Sequence, residues 1–350
     1  MNMWKKWIMN LVIPILLILG TLSLVTINTV EGSNGAIYYV GGSGVGNYTT
    51  IQSAIDDADD GDTVFVYSGT YYEALIINKS IRLLGKDRNN TNIDGWNVIR
   101  EAVIVITRHN VILSGFNITV HKTDIGGIYI EDSSNTTIIS NTINANNNNG
   151  ISLSSSSKDN IIANNIIINS TDGINLEGIF SNYCNNNTIM GNFITKAGKS
   201  SINLQRSSDN IIAGNTVTHN EGTGIELDYS DRNIITGNIM EKTVGTGLHI
   251  HKSSNNTIVG NVIANTEWYG IFLYSSENNK IYHNNFINNL IHAITNKAGA
   301  NAWDNGYPSG GNYWDNYTGI DTNGDHIGDT PYFIPGEENL DRYPIMMPYN

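Results

Sequence analysis

The chain has 350 residues, and its composition excludes several classes of protein before any motif is considered. Its net charge is −13, with 19 basic against 32 acidic residues, so it lacks the basic surface that a nucleic-acid partner requires. A single cysteine, Cys184, excludes a framework of intramolecular disulfides.

The first element along the chain is an apolar N-terminal segment. Lys5 and Lys6 precede an apolar run over residues 8–25, a pattern typical of an export signal. No clear A-x-A cleavage site follows, and the run of about eighteen residues approaches the length that spans a membrane. Residues 1–34 are therefore predicted to be a cleaved signal peptide or a retained anchor, the only part expected to contact a membrane. Either alternative places the remaining chain outside the cytoplasm, at the cell surface.

A short amphipathic helix is predicted next, between Thr49 and Ala58. Thr49 or Thr50 is available as its N-cap. Its apolar face consists of Ile51, Ala54, Ile55 and Ala58. Such a helix would cover the open first strand of a stacked β-structure, and the following residues 61–85 alternate like successive strands.

Over residues 110–299 the sequence repeats one short pattern about every 23 residues. One column of the repeat is asparagine: Asn141, Asn165, Asn192, Asn215, Asn238, Asn261 and Asn284. A second column, in the motif G-I-x-L, is apolar: Ile128, Ile151, Ile174, Ile202, Ile225, Leu248, Ile271 and Ile294. Short apolar–polar alternations predict strands, and strands this short bury their apolar faces only by stacking. The pattern predicts an all-β protein, a solenoid built as a parallel β-helix.

Asparagine suits its column for two reasons. It tolerates the left-handed backbone conformation that a sharp corner requires, and its amide both donates and accepts hydrogen bonds. We therefore predict a ladder of stacked asparagines at an interior corner. The irregular step between Leu176 and Ile189 adds about five residues, which predict a protruding loop with Cys184 as an ordinary loop residue. His292 is expected at the surface.

The alternation in the strand G-I-x-L-x predicts which side chains point outward. Two consecutive coils should place two carboxylates beside two imidazoles, with a glutamine on the rung below and two aromatic rings on the rung above. These residues are Glu226, Asp228, His249, His251, Gln205, Phe272 and Tyr274. The group can bind copper or zinc, or it can act as acid and base on a sugar that stacks on the aromatics. A solvated polar face without chemistry is the remaining alternative.

A second candidate site lies in the segment DTNGDHIGD, residues 321–329. Oxygen ligands occupy positions 1, 3, 5, 7 and 9 of a calcium-type loop: Asp321, Asn323, Asp325, the carbonyl of Ile327, and Asp329. The loop departs from the EF-hand pattern because position 6 is His326 and position 12 is Tyr332. Either a Ca²⁺ site or an acidic turn is expected.

The last segment, residues 301–350, loses the 23-residue rhythm and concentrates aromatic residues. We predict that it caps the open end of the solenoid, which gives three parts: 1–34, the β-helix over 35–300, and the cap over 301–350.

Three motifs resemble a known family: IQSAIDDADDGDTVFVYSGTYYE at 51–73, the N-x-I and G-I-x-L repeats, and GGNYWDNYTGIDTNGDHIGDTPY at 310–332. Together they resemble the pectin-lyase-like superfamily of right-handed parallel β-helices. More closely, they resemble NosD-type proteins, the periplasmic copper-binding family, in their archaeal surface-protein form. The resemblance covers about residues 37–349. It implies a right-handed coil and, through the family, copper binding or processing.

We therefore expect an exported cell-surface β-helix protein that binds polysaccharide or another envelope component in a structural or binding role. One alternative is a polysaccharide-modifying enzyme, a lyase, hydrolase or epimerase, that uses the outward strand face. The other is a copper-binding or copper-processing protein.

Overall fold

The computed structural model describes residues 35–96, 101–124, 126–179, 181–337 and 339–349. The predicted signal peptide or anchor at 1–34 lies outside these described residues. Residues from Ala36 onward form one compact unit. Among the described residues, no helix combines the length and the apolar character that crossing a membrane needs.

Three long sheets run the length of this unit, and each coil contributes one strand to each sheet. Strands of consecutive coils pair in parallel. The predicted right-handed parallel β-helix is confirmed.

The strands are numbered along the chain. Sheet 1 contains β1 (Ile37–Val40), β2 (Thr63–Val66), β5 (Arg82–Gly85), β8 (Ile112–Ser114), β11 (Thr137–Ile139), β14 (Ile161–Ala163), β17 (Thr188–Met190), β20 (Ile211–Ala213), β23 (Ile234–Thr236), β26 (Thr257–Val259) and β29 (Lys280–Tyr282). Sheet 2 contains β4 (Leu75–Ile77), β7 (Ala102–Ile106), β10 (Gly126–Glu131), β13 (Ile151–Ser154), β16 (Asp172–Glu177), β19 (Ser200–Gln205), β22 (Thr223–Asp228), β25 (Leu248–His251), β28 (Tyr269–Tyr274) and β31 (Ile291–Asn296). Sheet 3 contains β3 (Gly69–Tyr71), β6 (Thr91–Gly95), β9 (Asn117–Val120), β12 (Thr142–Asn148), β15 (Ile166–Ser170), β18 (Phe193–Thr195), β21 (Thr216–Thr218), β24 (Ile239–Glu241), β27 (Val262–Ala264), β30 (Asn285–Ile287) and β32 (Tyr313–Trp314). An antiparallel pair, β33 (Tyr332–Ile334) and β34 (Asn339–Asp341), follows the solenoid.

The core is made of inward side chains stacked from coil to coil. In sheet 2, Ile202, Ile225, Leu248 and Ile271 pair in register and are fully buried. Each buried side chain of this size contributes about 1.5–3 kcal/mol, and a single three-residue strand offers only one or two of them. Stacking at about 4.8 Å joins these small contributions into one continuous core.

The last coil departs from the predicted register. Ala293 pairs with Ile271 and is buried, whereas Ile294 pairs with Phe272 and points outward. Thr295 is buried opposite Leu273. The prediction that Ile294 continues the apolar column is therefore wrong, because the turn before β31 is one residue shorter than in the preceding coils.

The predicted asparagine ladder is confirmed. All seven asparagines are buried, and each side-chain amide donates to the side-chain oxygen of the next, as Asn238 does to Asn261 at 3.0 Å. Asn284 continues the ladder to Asn312. The left-handed backbone conformation, however, falls on the residue before each asparagine: Ser140, Asn164, Gly191, Gly214, Gly237, Gly260 and His283.

Two further ladders were missed at the corner between sheets 2 and 1. Buried asparagines form one of them: Asn160, Asn187, Asn210, Asn233, Asn256 and Asn279. Buried serines form the other: Ser207, Ser230, Ser253 and Ser276. Their signal was present in the sequence as a recurring S-x-x-N.

Both predicted caps are present. The helix α1 (Ile51–Asp57) buries its apolar face, but the Thr50 side chain at the N-cap contacts the Ser53 hydroxyl at 2.6 Å and makes no capping hydrogen bond to the helix backbone. Instead, the backbone amides of Ile51 and Gln52 donate to the Glu73 carboxylate at 2.8 and 2.9 Å.

At the other end, the Trp314 ring stacks between Phe286, at 4.3 Å, and Tyr332, at 4.2 Å. Because β32 still pairs with β30, the solenoid pairing extends to Trp314, past residue 300.

Cys184, predicted as an ordinary loop residue, and His292, predicted at the surface, are both buried. Cys184 belongs to the hydrophobic core, and burial raises the pKa of its thiol to about 12. His292 is buried beside Trp314, with its Nε2 atom 2.8 Å from an oxygen of Asp315. The expectation for His292 is wrong because residues of the C-terminal cap cover it, whereas Cys184 lies in a loop as predicted but is buried, because it occupies the position of the corner serines, three residues before Asn187.

Candidate functional site

The outward side of strands β19, β22, β25 and β28 gathers the predicted patch, and we call it the sheet-2 face. Glu226 pairs in register with His249, and Asp228 pairs with His251. The next rung adds two rings, and the rung below adds one amide: Phe272, Tyr274 and Gln205. All seven residues therefore lie where the repeat placed them, while their function stays a prediction.

Each imidazole of the sheet-2 face contacts a carboxylate through its Nδ1 atom. His251 Nδ1 lies 2.5 Å from Asp228 Oδ1, and His249 Nδ1 lies 3.5 Å from Glu226 Oε1. Because a carboxylate only accepts hydrogen bonds, Nδ1 of His251 carries the proton. The Nε2 atoms have no hydrogen-bond partner among the described residues. The two side chains are 25% and 29% exposed, so solutes can reach them.

The pKa values of two carboxyl groups, Glu226 on this face and Asp172 on the adjacent strand β16, are shifted in opposite directions. The contact with His249, helped by a 2.6 Å hydrogen bond from the Ser200 hydroxyl, lowers the pKa of Glu226 to about 2 against the effect of burial. Burial raises the pKa of Asp172, although Lys199 lies 3.6 Å away and the Ser200 amide donates to it at 3.0 Å. Paired carboxyl groups with diverging pKa values are the usual basis of acid–base assignments. Asp172 was missed because it precedes the G-I-x-L motif and does not recur in the other coils.

The rings of the face are stacked along the solenoid axis. His249 and Phe272 are nearly parallel, 6° apart, with centroids separated by 5.1 Å. One face of each ring therefore covers a face of the other. Tyr274 is tilted by 46° against His251, and Tyr229 contacts the same imidazole edge-on at 5.7 Å. Stacking of a sugar on these aromatic residues stays a prediction.

Three residues that directly follow these strands were also missed: Arg206, Tyr229 and Lys252. They occupy left-handed turn positions with φ of 47°, 51° and 45°. Their signal in the sequence is their place immediately after the second outward column.

The structure leaves both metal predictions open. Among the described residues, no group of three or more His, Cys, Asp or Glu side chains is arranged to hold a metal ion. In the segment 321–329, Asp321 accepts hydrogen bonds from the amides of Gly324 and His326, and Asp329 accepts one from Thr322. Calcium binding there stays a prediction, and a melting temperature that EDTA leaves unchanged would count against it.

Comparison with known proteins gives one family match along most of the chain. The sequence model of the family described as periplasmic copper-binding protein (NosD) matches residues 55–240 and 175–319. A cell surface glycoprotein of Methanothermus fervidus is 37% identical over 98 residues, which represent 27% of this chain and 16% of that relative. The match thus spans a small part of the curated relative's length.

Solved structures show a similar coil. ORF18 of Geobacillus virus E2 gives a TM-score of 0.61 at 14% identity, over 83% of this chain and 64% of that one. The surface protein and adhesin PfbA of Streptococcus pneumoniae gives 0.53 at 16% identity, over 75% of this chain and 94% of that one. At these identities the likeness shows the fold alone.

Proposed function

The chain belongs to the periplasmic copper-binding protein (NosD) family, and we propose that it is an exported cell-surface protein that binds an envelope polysaccharide. The family description names the periplasm, and the Methanothermus relative is a cell surface glycoprotein. The acidic chain and the predicted N-terminal signal or anchor support the same location.

The observation that carries the binding role is the row of hydrogen-bonding and aromatic groups on three successive coils of the sheet-2 face. Coils repeat at about 4.8 Å, so an extended polymer along the axis meets one coil after another. Imidazole nitrogens and carboxylate oxygens match sugar hydroxyls, and the tilted tyrosines supply apolar contacts. The face is open rather than enclosed, which suits a chain of sugars better than a small molecule.

An array of envelope polysaccharides and their oligosaccharides tests this proposal. The variant His249→Ala/Tyr274→Ala should bind any hit about tenfold more weakly, corresponding to ~1.4 kcal/mol. Phe193→Ala is the matched control, because Phe193 is also an exposed ring, 41% exposed, but lies on sheet 3. Equal losses in both variants, or no hit on the array, would contradict the proposal. Product analysis of bound oligosaccharides shows whether binding is accompanied by turnover.

Copper handling is a second candidate, and one feature of the face favours it. A histidine that donates its Nδ1 proton to a carboxylate while Nε2 faces outward is the usual support for a metal ligand. His249 and His251 have parallel rings, 19° apart, with centroids separated by 6.1 Å. They offer two imidazole nitrogens, a ligand type that suits copper. Calorimetric titration of Cu²⁺ into wild type and His249→Ala/His251→Ala checks this candidate, and identical isotherms would dismiss it.

A further inference from the structure

Three cationic side chains lie along the edge of the sheet-2 face, each against an aromatic ring. Arg206 and Lys252 flank Tyr229, with the guanidinium carbon 5.4 Å and the lysine Nζ 4.8 Å from its ring centroid. Lys252 also donates to the Tyr229 hydroxyl at 2.5 Å. Two coils beyond Lys252, Lys297 Nζ lies 5.7 Å from the ring of Tyr274, which belongs to the coil between them. We call these residues, together with Tyr229, the cationic edge.

Within the part of the chain that the structure describes, no carboxylate oxygen lies within 4.0 Å of the three cations of this edge. Among the described residues, the ion pairs of lysine and arginine within 4.0 Å involve Arg108, Lys199, Arg232, Lys242 and Arg342. The Tyr229 hydroxyl and, to a smaller extent, the charge of Asp228 raise the pKa of Lys252, but the Asp228 carboxylate itself pairs with His251. By contrast, Arg232 at a neighbouring turn is held by both oxygens of Asp209. The edge therefore retains positive charge that other parts of this acidic chain neutralise.

The aromatic contacts orient these cationic side chains but do not neutralise their charges. A cation over an exposed ring gains about 0.5–1 kcal/mol, enough to favour one orientation of a long side chain. Its remaining N–H groups stay available for an anion, and a guanidinium binds carboxylate or sulfate oxygens in pairs. Arg206 and Lys252 are two coils apart, about 10 Å, with Tyr229 between them.

The overall charge of −13 argues against an anionic ligand only at long range. Exposed charges are screened beyond about 8 Å at physiological ionic strength, so the groups at the contact decide the interaction. At the cationic edge those groups are two ammonium ions and one guanidinium beside ring surfaces.

We propose that the cationic edge binds acidic groups of a saccharide, so that the polymer recognised by the sheet-2 face is an anionic polysaccharide. This inference rests on the proposed binding function and narrows its ligand to sugars that carry carboxylate or sulfate. The polymer lies along the axis, with its rings against the face and its charges toward Arg206 and Lys252.

The test compares polygalacturonate, dextran sulfate and neutral dextran, together with every polysaccharide that binds on the array. At least one anionic polymer should bind about tenfold or more tightly than dextran, with an affinity that falls as salt rises. Which of the two does so distinguishes carboxylate from sulfate recognition.

Arg206→Gln/Lys252→Gln should remove this preference. The matched control is Lys196→Gln/Lys242→Gln, which removes the same charge from left-handed turns two coils apart beside sheet 3.

The possible outcomes separate this inference from the proposed function. Array hits that are only neutral, or equal losses in the two double variants, overturn the anionic preference and leave polysaccharide binding intact. Absence of binding to every polymer and array member overturns the proposed function, and the inference fails with it.

Discussion

The interior of the solenoid and the sheet-2 face differ in whether the same residue recurs from coil to coil. At the interior corner the same amide recurs from Asn141 to Asn312, and each one is satisfied by its neighbour in the next coil. On the face, the first outward column changes at nearly every coil: Asn175, Asn203, Glu226, His249 and Phe272. A ladder requires identical residues because each donor needs the next acceptor, whereas an outward side chain can be solvated alone. Repetition therefore marks the residues that hold the fold, and its absence marks the residues free to recognise a ligand.

Breaking one rung of the ladder should have the largest effect on stability. Asn238 accepts hydrogen bonds from the backbone and side-chain amides of Asn215 and donates to the Ile212 carbonyl and to Asn261. Asn238→Leu leaves these buried groups without partners, at about 1–3 kcal/mol for each unsatisfied group. We expect a loss of at least about 3 kcal/mol in the free energy of unfolding, measured by urea denaturation.

Asn182→Leu is the control for this variant, because Asn182 is exposed in the inserted loop. A similar loss in both variants would show that added apolar surface, rather than the broken ladder, causes the effect.

A close contact between coils gives the next largest effect. A Cβ atom at Gly127 would lie 2.6 Å from the carbonyl oxygen of Gly150 and 2.7 Å from a methyl group of Ile143. At the adjacent Gly126 the nearest atoms would be 3.5 Å away, an ordinary contact. Gly127→Ala should therefore cost about 2 kcal/mol and Gly126→Ala much less. Thermal melting of the two variants checks this, and equal melting temperatures would refute the steric argument.

The sequence predicted the interior well because a fixed period turns one-dimensional spacing into vertical stacks. It placed the seven asparagines, the apolar columns and the outward neighbours of Glu226 correctly. It failed at Ile294, where a turn loses one residue, because an apolar residue beside Ala293 hid the shift in register. It also failed for Asp172 and Arg206, because residues that do not recur give no periodic signal.

The C-terminal cap extends the comparison because one of its buried carboxylates, Asp341, ends the asparagine ladder by accepting hydrogen bonds from Asn312, whereas another, Asp304, lies outside it. Burial raises the pKa of Asp341 to about 7, although it accepts hydrogen bonds from Asn312 and the Trp314 indole. Despite burial, the Arg342 guanidinium and backbone amides lower the pKa of Asp304. The cap thus holds two buried carboxyl groups with opposite dependence on pH.

The sign of each contribution follows from proton linkage. For Asp341 the folded state holds a proton that the unfolded chain releases, so stability falls between about pH 4 and pH 7. For Asp304 the contribution is present above its unfolded pKa and is lost as the pH falls. Asp341→Asn should reduce the change in melting temperature of the cap between pH 4 and pH 7. Fluorescence of Trp303 and Trp314 follows the unfolding of the cap. Unchanged pH dependence in this variant would contradict the assignment.

The smallest expected effect belongs to the sheet-2 face itself. The pKa of Glu226 is lowered to about 2 from 4.5, so its stabilising contribution is complete above pH 4.5 and is lost as the pH falls through about 2. Because the side chain is 23% exposed, solvent limits this contribution to about 1 kcal/mol. Glu226→Gln should therefore shift acid unfolding only slightly, and Glu221→Gln, at an exposed turn, should not shift it at all. A loss as large as that of Asn238→Leu would mean that the face holds the fold together as the ladder does, which would remove the distinction between the two regions.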